Sequence, residues 1–222
     1  SNLTLERIAK TDDIGLVSLP LANQQVVIAG LTHDKSISTD NDVVIALVDH
    51  LGQPVSAFGG ANQDGMVVTA VGFAVQTLKA VLDPQENILV VATGAESQVA
   101  VLRYQPDGQL DPNFGDNGMT TLSLGEAGYI ADVVLMADAQ TYRLLLGVGQ
   151  TTTAITKLMV FKDNGQLDVS FGGSHSGELV LPHDQIEDIF LDDQNRIGVV
   201  GQRQGMLAIQ RLTAQGQIDP RF

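Results

Sequence analysis

The chain has 222 residues, of which 44% are hydrophobic, so it can bury a core and does not have the composition of a disordered chain. Its 12 Lys and Arg against 26 Asp and Glu give a formal net charge of −14, which argues against nucleic acid and against an anionic membrane surface as partners. Cysteine is absent, which excludes disulfides, thiolate metal sites and a cysteine nucleophile.

The first part of the chain is a succession of short apolar runs. IGLVSL at 14–19, QVVIAG at 25–30 and VVIALV at 43–48 are followed by LGQPVSAFGG at 51–60 and GMVVTAV at 65–71. The runs are rich in Val, Ile, Leu and Thr and are closed by Gly, Pro, Asn or Asp, which is typical of short antiparallel strands joined by tight turns. No window shows an apolar helical stripe over three turns, so the sequence predicts an all-β protein.

The segment at 51–60 recurs three times, and we call the four copies the boxes. The later boxes are DGQLDPNFGD at 107–116, NGQLDVSFGG at 164–173 and QGQIDPRF at 215–222. Each box follows three apolar runs and closes a unit of roughly 55 residues. The residues of this repeat to which we assign structural roles are Gly52, Phe58, Gly108, Asp111, Phe114, Gly115, Gly165, Asp168, Phe171, Gly172, Gly216, Asp219 and Phe222.

Four strands in each repeated unit predict the blades of a β-propeller. We therefore predict one domain over residues 1–222 with four blades of four antiparallel strands. The fourth box ends at Phe222, and LTLERIAK at 3–10 has the character of the strand that follows the other boxes. We expect this N-terminal strand to complete the last blade and close the ring. The alternative is an open arc of a larger propeller.

The best copy of the repeat, VAVLRYQPDGQLDPNFGDNG at 99–118, resembles the delta-60 repeat, a bacterial β-propeller-type repeat of unknown function. LAIQRLTAQGQIDPRF at 207–222 matches well, whereas KLMVFKDNGQLDVSFGG at 157–173 lacks the arginine and the first copy has Pro54 and Val55 in place of Leu-Asp. The resemblance implies a β-propeller in a secreted, periplasmic or cell-surface protein of a bacterium. It carries no catalytic residues to transfer.

Each part of a box has an expected structural role. Asp107-Gly108 and Asn164-Gly165 are dipeptides of tight turns, where Gly accepts a positive φ. The aspartates that follow can accept hydrogen bonds from the next backbone N–H groups as Asx-type turns. We expect Leu110, Leu167 and Ile218 to point inward, and the phenylalanine of each box to fill the space between adjacent blades.

A calcium site is the alternative for the second box. Asp107, Asp111 and Asp116 could offer oxygen ligands together with a nearby carbonyl. Their spacing differs from that of an EF-hand loop, and the first and third boxes have Gly60 and Gly173 where the second has Asp116. We favour turn formation, and we predict neither a cofactor nor a metal.

Two sets of polar residues are candidates for a ligand-binding rim. Lys79, Asp132 and Asp188, together with Gly15, stand in or beside corresponding strands of the four units and would point toward one mouth of a closed ring. The insertion LTHDKSISTDND at 31–42 has no counterpart in the other units and carries Asp34, Asp40 and Asp42. For both sets the alternative is ordinary exposed side chains.

The histidines are a further candidate site. His175 and His183 flank one predicted strand, and Asp184 adjoins the second. A metal pair or a general base is conceivable. Both lie in polar loop segments without a third partner at their spacing, so we interpret them as solvated loop histidines.

These patterns favour a non-catalytic module that binds a protein, peptide or glycan through rim loops. One alternative is a structural spacer of a larger surface protein. Another is a hydrolase or lyase acting on glycans or lactones, which would need two carboxylates with raised pKa values near the channel mouth. The chain has no Trp and only three Tyr, which weakens a glycan-stacking surface.

Overall fold

The computed structural model describes residues 11–34, 41–60, 64–95, 97–125, 127–137, 141–150, 153, 155–173 and 176–222. Over these ranges the chain forms fifteen β-strands and no α-helix. None of the described residues therefore belongs to a helix able to cross a membrane. The chain divides into two compact units, Ser1–Leu122 and Ser123–Phe222, and each is described by itself.

The first unit contains two four-stranded antiparallel sheets, each a simple meander in chain order. The strands of the first sheet are β1 Thr11–Pro20, β2 Val26–Asp34, β3 Asp42–Val48 and β4 Met66–Thr69. The strands of the second are β5 Val75–Leu82, β6 Ile88–Gly94, β7 Gln98–Tyr104 and β8 Met119–Ser123.

The second unit repeats this plan with one strand fewer among the described residues. Its first sheet contains β9 Gly128–Ala137, β10 Tyr142–Gln150, β11 Thr156–Lys162 and β12 Glu178–Leu181. Its second sheet contains β13 Gln185–Leu191, β14 Ile197–Arg203 and β15 Met206–Leu212. The prediction of an all-β chain built from four antiparallel, blade-like sheets is confirmed. The predicted closing strand at 3–10 lies outside the described residues.

The middle strands supply the core because they are apolar on both faces. Every residue of β6 is buried, as are six of the seven residues of β3 and of β7. Sheets that are covered on both faces have such continuous apolar runs rather than alternating ones. In each unit, buried side chains from both sheets share a hydrophobic cluster, and Val44, Ala46 and Met66 form a smaller separate cluster in the first unit.

The boxes adopt the same backbone turn in all four copies. In the second box the amide of Gly108 donates to the carbonyl of Gln105 at 2.9 Å, and the amide of Gln105 donates to the carbonyl of Gln109 at 2.8 Å. The other three boxes have the same two bonds at the corresponding positions. The turn glycines Gly52, Gly108, Gly165 and Gly216 have φ between 78° and 86°, the left-handed region that glycine enters without strain.

The phenylalanine of a box packs against the turn glycine of the next box in the same unit. Phe58 packs against Gly108, and Phe171 packs against Gly216. Phe58 is buried in the core of the first unit, and Phe171 is buried in that of the second. Phe114 is also fully buried, but Phe222 is 67% exposed and Ile218 is 71% exposed. The expectations that Ile218 points inward and that Phe222 fills a space between blades are therefore wrong. Their sheet has no fourth strand among the described residues, whereas Leu110 and Leu167 are partly buried beside a fourth strand.

Candidate functional site

Every sheet has a β-bulge in its first strand. The extra residue is Leu16 in β1, Gln76 in β5, Ala131 in β9 and Glu187 in β13. A bulge changes the direction of the side chains that follow it and increases the local twist of the strand. It therefore determines the face of the sheet on which the following side chains lie. Glycine stands opposite the bulge in three of the sheets, as Gly30, Gly94 and Gly201.

The glycines opposite the bulges allow the first strand to approach closely. A Cβ at Gly30 would collide with the carbonyl oxygen of Ile14, and one at Gly201 would collide with that of Gln185. Gly30 and Gly201 thus let the backbone of the bulged strand approach closely.

The predicted rim residues Lys79, Asp132 and Asp188 occupy the same position in their sheets. Each pairs with the equivalent residue of the second strand, and we call such a row of paired residues across a sheet a rung. They lie opposite Val91, Gly147 and Val200, and the next strand continues these rungs with Val101, Leu158 and Ile209. The corresponding residue in the first sheet is Val17, opposite Ala29, and not Gly15. Val17 directly follows the bulge residue Leu16, as Asp132 and Asp188 follow Ala131 and Glu187, so the expected residue Gly15 lies two positions too early.

In the second unit the bulged strands β9 and β13 lie beside each other. They carry Asp132, Glu187 and Asp188, which we call the acidic bulge surface. Glu187 and Asp188 are exposed, and Asp132 is half-buried. The hydroxyl of Tyr129 on β9 donates to the carbonyl of Ile186 on β13 at 3.4 Å. Burial raises the pKa of Tyr129, and the negative charge of Glu187 adds to this effect. The hydrogen bond to the carbonyl of Ile186 lowers the pKa but does not cancel the rise.

The insertion at 31–42 is partly strand. β2 continues to Asp34, which pairs with Thr11, and β3 begins at Asp42, which pairs with Thr32. Asn41 joins the insertion to the next sheet, since its carbonyl accepts from the amide of Val75 at 2.9 Å and its side-chain amide donates to the Val75 carbonyl at 3.1 Å. Asp40 and the side chain of Asp34 lie outside the described part of the chain.

The aspartates of the boxes form ion pairs as well as Asx-type turns. Arg103 Nη2 lies 2.7 Å from Asp111 Oδ2, and both side chains are nearly buried. Asp111 Oδ1 accepts from the amide of Asn113 at 2.9 Å. The guanidinium of Arg103 also lies over the ring of Phe114, 5.0 Å from its centroid. The fourth box repeats this arrangement with Arg211 2.9 Å from Asp219 and 4.9 Å from the centroid of Phe222.

The third box obtains its arginine from another strand. Val160 of β11 stands where the second and fourth boxes have arginine, and Arg143 of β10 instead reaches Asp168 at 3.2 Å. Arg196 is the counterpart of Arg143 in the last sheet and lies 3.7 Å from Asp219. The sequence contained a signal for the ion pairs that Arg103 in β7 and Arg211 in β15 form with the box aspartates, because the two arginines occupy the same position of the repeat. It contained no signal that Arg143 substitutes for them.

The surroundings of two of these carboxylates favour their charged form. Burial raises the pKa of Asp168, but hydrogen bonds from Ser170 and the charge of Arg143 outweigh it and leave the pKa lowered. The pKa of Asp219 is lowered chiefly by the backbone amide of Arg221, with help from the charges of Arg211 and Arg221. Both groups are therefore anions that stabilise their box.

The alternative calcium ligands of the second box are engaged with protein donors. Asp107 Oδ1 accepts from the amide of Gln109 at 3.0 Å, Asp116 Oδ1 accepts from the side chain of Asn117 at 2.8 Å, and Asp111 is paired with Arg103. Among the residues that the structure describes, no three His, Asp or Glu side chains gather as metal ligands.

His183 is buried, with 4% of its surface exposed, so its interpretation as a solvated loop histidine is wrong. Thr156 Oγ1 donates to its backbone carbonyl at 2.9 Å and holds the loop between β12 and β13 against β11. Neither imidazole nitrogen has a hydrogen-bond partner within the described ranges. Burial lowers the pKa of His183, and the nearby charge of Arg203 lowers it further, while Asp184 opposes them. His50 is exposed, and His175 lies outside the described residues.

The sequence profile of a β-propeller domain of unknown function (DUF5122) matches residues 88–114, which comprise β6, β7 and the second box as far as Phe114. A search of curated proteins finds no match. A similar solved structure is that of a candidate exo-beta-1,3-galactanase from Bifidobacterium bifidum s17, with 12% identity and a TM-score of 0.40 over 93% of this chain and 70% of that one. Similarity at that level transfers no activity. The matched segment and the four meander sheets make this an all-β chain of β-propeller type.

Proposed function

We propose that this chain is a non-catalytic β-propeller module that binds a basic segment of a partner protein or peptide through its acidic bulge surface. The observation that carries the proposal is the placement of Glu187 and Asp188. Both are exposed on β13, directly at its bulge and beside the strand that carries Asp132. Side chains on a rigid sheet are held for recognition at little entropic cost.

Charge sets the chemistry of the partner. Three carboxylates on adjacent strands attract lysine and arginine side chains, and the net charge of −14 steers a cationic partner over a longer range. A peptide or protein segment with several basic residues satisfies both conditions. The scarcity of aromatic side chains, at 5% of the chain, makes a glycan the weaker choice.

The pKa directions of two box aspartates do not suit these residues to be the acid of a glycoside hydrolase. A glycoside hydrolase needs one carboxylic acid whose pKa is raised, so that it holds a proton near neutral pH. The pKa shifts of Asp168 and Asp219 run in the opposite direction.

Assignment of the four units to the delta-60 repeat is part of the same proposal. It is supported by the identical backbone turns of the four boxes.

The test is a titration of the protein into a short fluorescein-labelled peptide of alternating lysine and serine, followed by fluorescence anisotropy. The double variant Glu187→Lys/Asp188→Lys should bind the peptide about tenfold more weakly, because each reversal replaces an attraction by a repulsion. Added salt should weaken the binding to the unaltered protein.

The matched control is Glu86→Lys/Asp193→Lys, which changes the net charge equally at two exposed residues outside the acidic bulge surface. It should retain most of the affinity. Equal losses in the two double variants would show that the peptide responds only to net charge and would overturn the proposal. Absence of binding to the unaltered protein at low salt would overturn it as well.

A further inference from the structure

His183 lies in the short connection between β12 and β13, residues 182–184, which we call the corner. Its side chain is enclosed, with 4% of the residue exposed, although Pro182 and Asp184 on either side of it are exposed. Both imidazole nitrogens lack a hydrogen-bond partner among the residues that the structure describes. A buried polar group without a partner costs free energy, and a buried charge costs much more. The corner therefore tolerates the neutral imidazole and strongly disfavours the imidazolium.

Hydrogen bonds hold the corner to β11, to β14 and to the turn between β14 and β15. Thr156 Oγ1 in β11 donates to the carbonyl of His183 at 2.9 Å. The amide of Asp184 donates to the carbonyl of Gln202 in β14 at 2.8 Å, and its carboxylate accepts from the amide of Gln204 in the turn. β13 begins directly after the corner. Movement of the imidazole out of its enclosed position would therefore loosen the start of β13.

The charges around the corner oppose a second positive charge there. Burial lowers the pKa of His183, the cation of Arg203 at the end of β14 adds to this effect, and Asp184 opposes it. On the two strands before the corner, Lys157 and Glu178 are paired with each other at 3.4 Å. The imidazole is therefore neutral near neutral pH, and weak acid is the condition that changes its charge.

We infer that the corner is a proton-sensitive latch on β13. With a neutral imidazole the corner is closed and holds the start of the strand. Protonation of His183 in weak acid favours an open corner, in which water solvates the imidazolium and the bonds to Thr156 and Gln204 are lost. The loosened part of β13 leads directly into Glu187 and Asp188. The effect on peptide binding rests on the proposed function, whereas the opening of the corner does not.

Hydrogen exchange measured by NMR at the amides of Asp184 and Gln204 tests the opening, because both amides donate bonds that hold the closed corner. Their protection factors, which are corrected for the intrinsic effect of pH on exchange, should fall about tenfold between about pH 7.5 and about pH 5.5. The open corner binds a proton with the ordinary histidine pKa of about 6.5, whereas the closed corner resists protonation. Unchanged protection factors in the unaltered protein would overturn the inference.

Two variants without a titrating group should abolish the fall in protection. His183→Gln keeps a polar side chain, and His183→Leu fills the enclosed position without a polar atom, which provides a second test if His183→Gln does not fold. The matched control is His50→Gln, which removes an exposed histidine of the first unit and should retain the fall. A fall that persists in the variants of His183 would overturn the latch.

The anisotropy titration with the lysine and serine peptide, repeated at both pH values, measures the effect on binding. The unaltered protein should bind more weakly in weak acid, and His183→Gln should lose less of its affinity. A loss of the same size in both proteins would overturn the link between the corner and the acidic bulge surface. Absence of binding at neutral pH would overturn the proposed function alone, because the exchange measurement decides separately whether the corner opens.

Discussion

The ring of Phe58 lies directly against Gly108, so that a Cβ at Gly108 would stand 2.8 Å from two ring carbons. The amide of Gly59 donates to the carbonyl of Asp107 at 2.8 Å beside this contact. Phe171 and Gly216 repeat the relationship in the second unit, with a distance of 2.9 Å. Gly108 and Gly216 therefore have two tasks, since each adopts a positive φ and also leaves room for the phenylalanine of the preceding box.

Gly108→Ala should lower the free energy of unfolding by about 2–4 kcal/mol, because the left-handed φ and the overpacking against Phe58 both contribute. Gly72→Ala provides the control, since Gly72 has a φ of 83° and a Cβ added there would have no heavy atom within 4 Å. It should cost only about 1–2 kcal/mol. Urea denaturation of the two variants measures the difference, and equal losses would show that the contact with Phe58 is unimportant.

Arg143→Met should lower the free energy of unfolding by about 1–3 kcal/mol, because it leaves the carboxylate of Asp168 buried without its cation. Lys157→Met breaks the looser pair with Glu178, whose charged atoms lie 3.4 Å apart, and should cost less than about 1 kcal/mol. Adding Asp168→Asn to Arg143→Met should recover part of the loss. A double-mutant cycle that shows no coupling between Arg143 and Asp168 would contradict this account.

His183 should make the protein less stable in weak acid. Its pKa is lowered in the folded chain, so the unfolded chain binds a proton more readily. The contribution of the neutral imidazole to stability is complete above the ordinary pKa of about 6.5 and is lost as the pH falls below it. Urea denaturation between about pH 8 and about pH 5, the range in which histidine titrates, measures this slope. In His183→Gln the slope should be shallower, and an unchanged slope would assign it to other groups.

Tyr104→Phe should cost about 1 kcal/mol. Tyr104 is completely buried, and its hydroxyl donates to Thr69 Oγ1 at 2.8 Å, which joins β7 to β4 across the first unit. Tyr129→Phe removes a longer bond of 3.4 Å from a partly exposed ring and should cost less. Thermal unfolding of both variants checks the order. A larger loss for Tyr129→Phe would show that its bond to Ile186 is the stronger one.

Much of the local structure was predictable from the sequence alone. The repeated boxes predicted the turns, because a glycine at positive φ and an aspartate that accepts from the following amides act within a few residues of each other. The apolar runs closed by turn residues predicted the strands. The common position of Lys79, Asp132 and Asp188 in their sheets followed from the repeat, whereas the residue expected for the first sheet, Gly15, lies two positions before Val17.

Only the tertiary structure decided which side chains meet across the sheets. Arg143 pairs with Asp168 from a neighbouring strand, His183 is buried by its surroundings, and β15 exposes apolar residues like those that its counterparts bury. These features depend on packing between segments far apart in the chain. The residue at each position determines what it can bind, but its neighbours in space determine whether it is covered, paired or exposed.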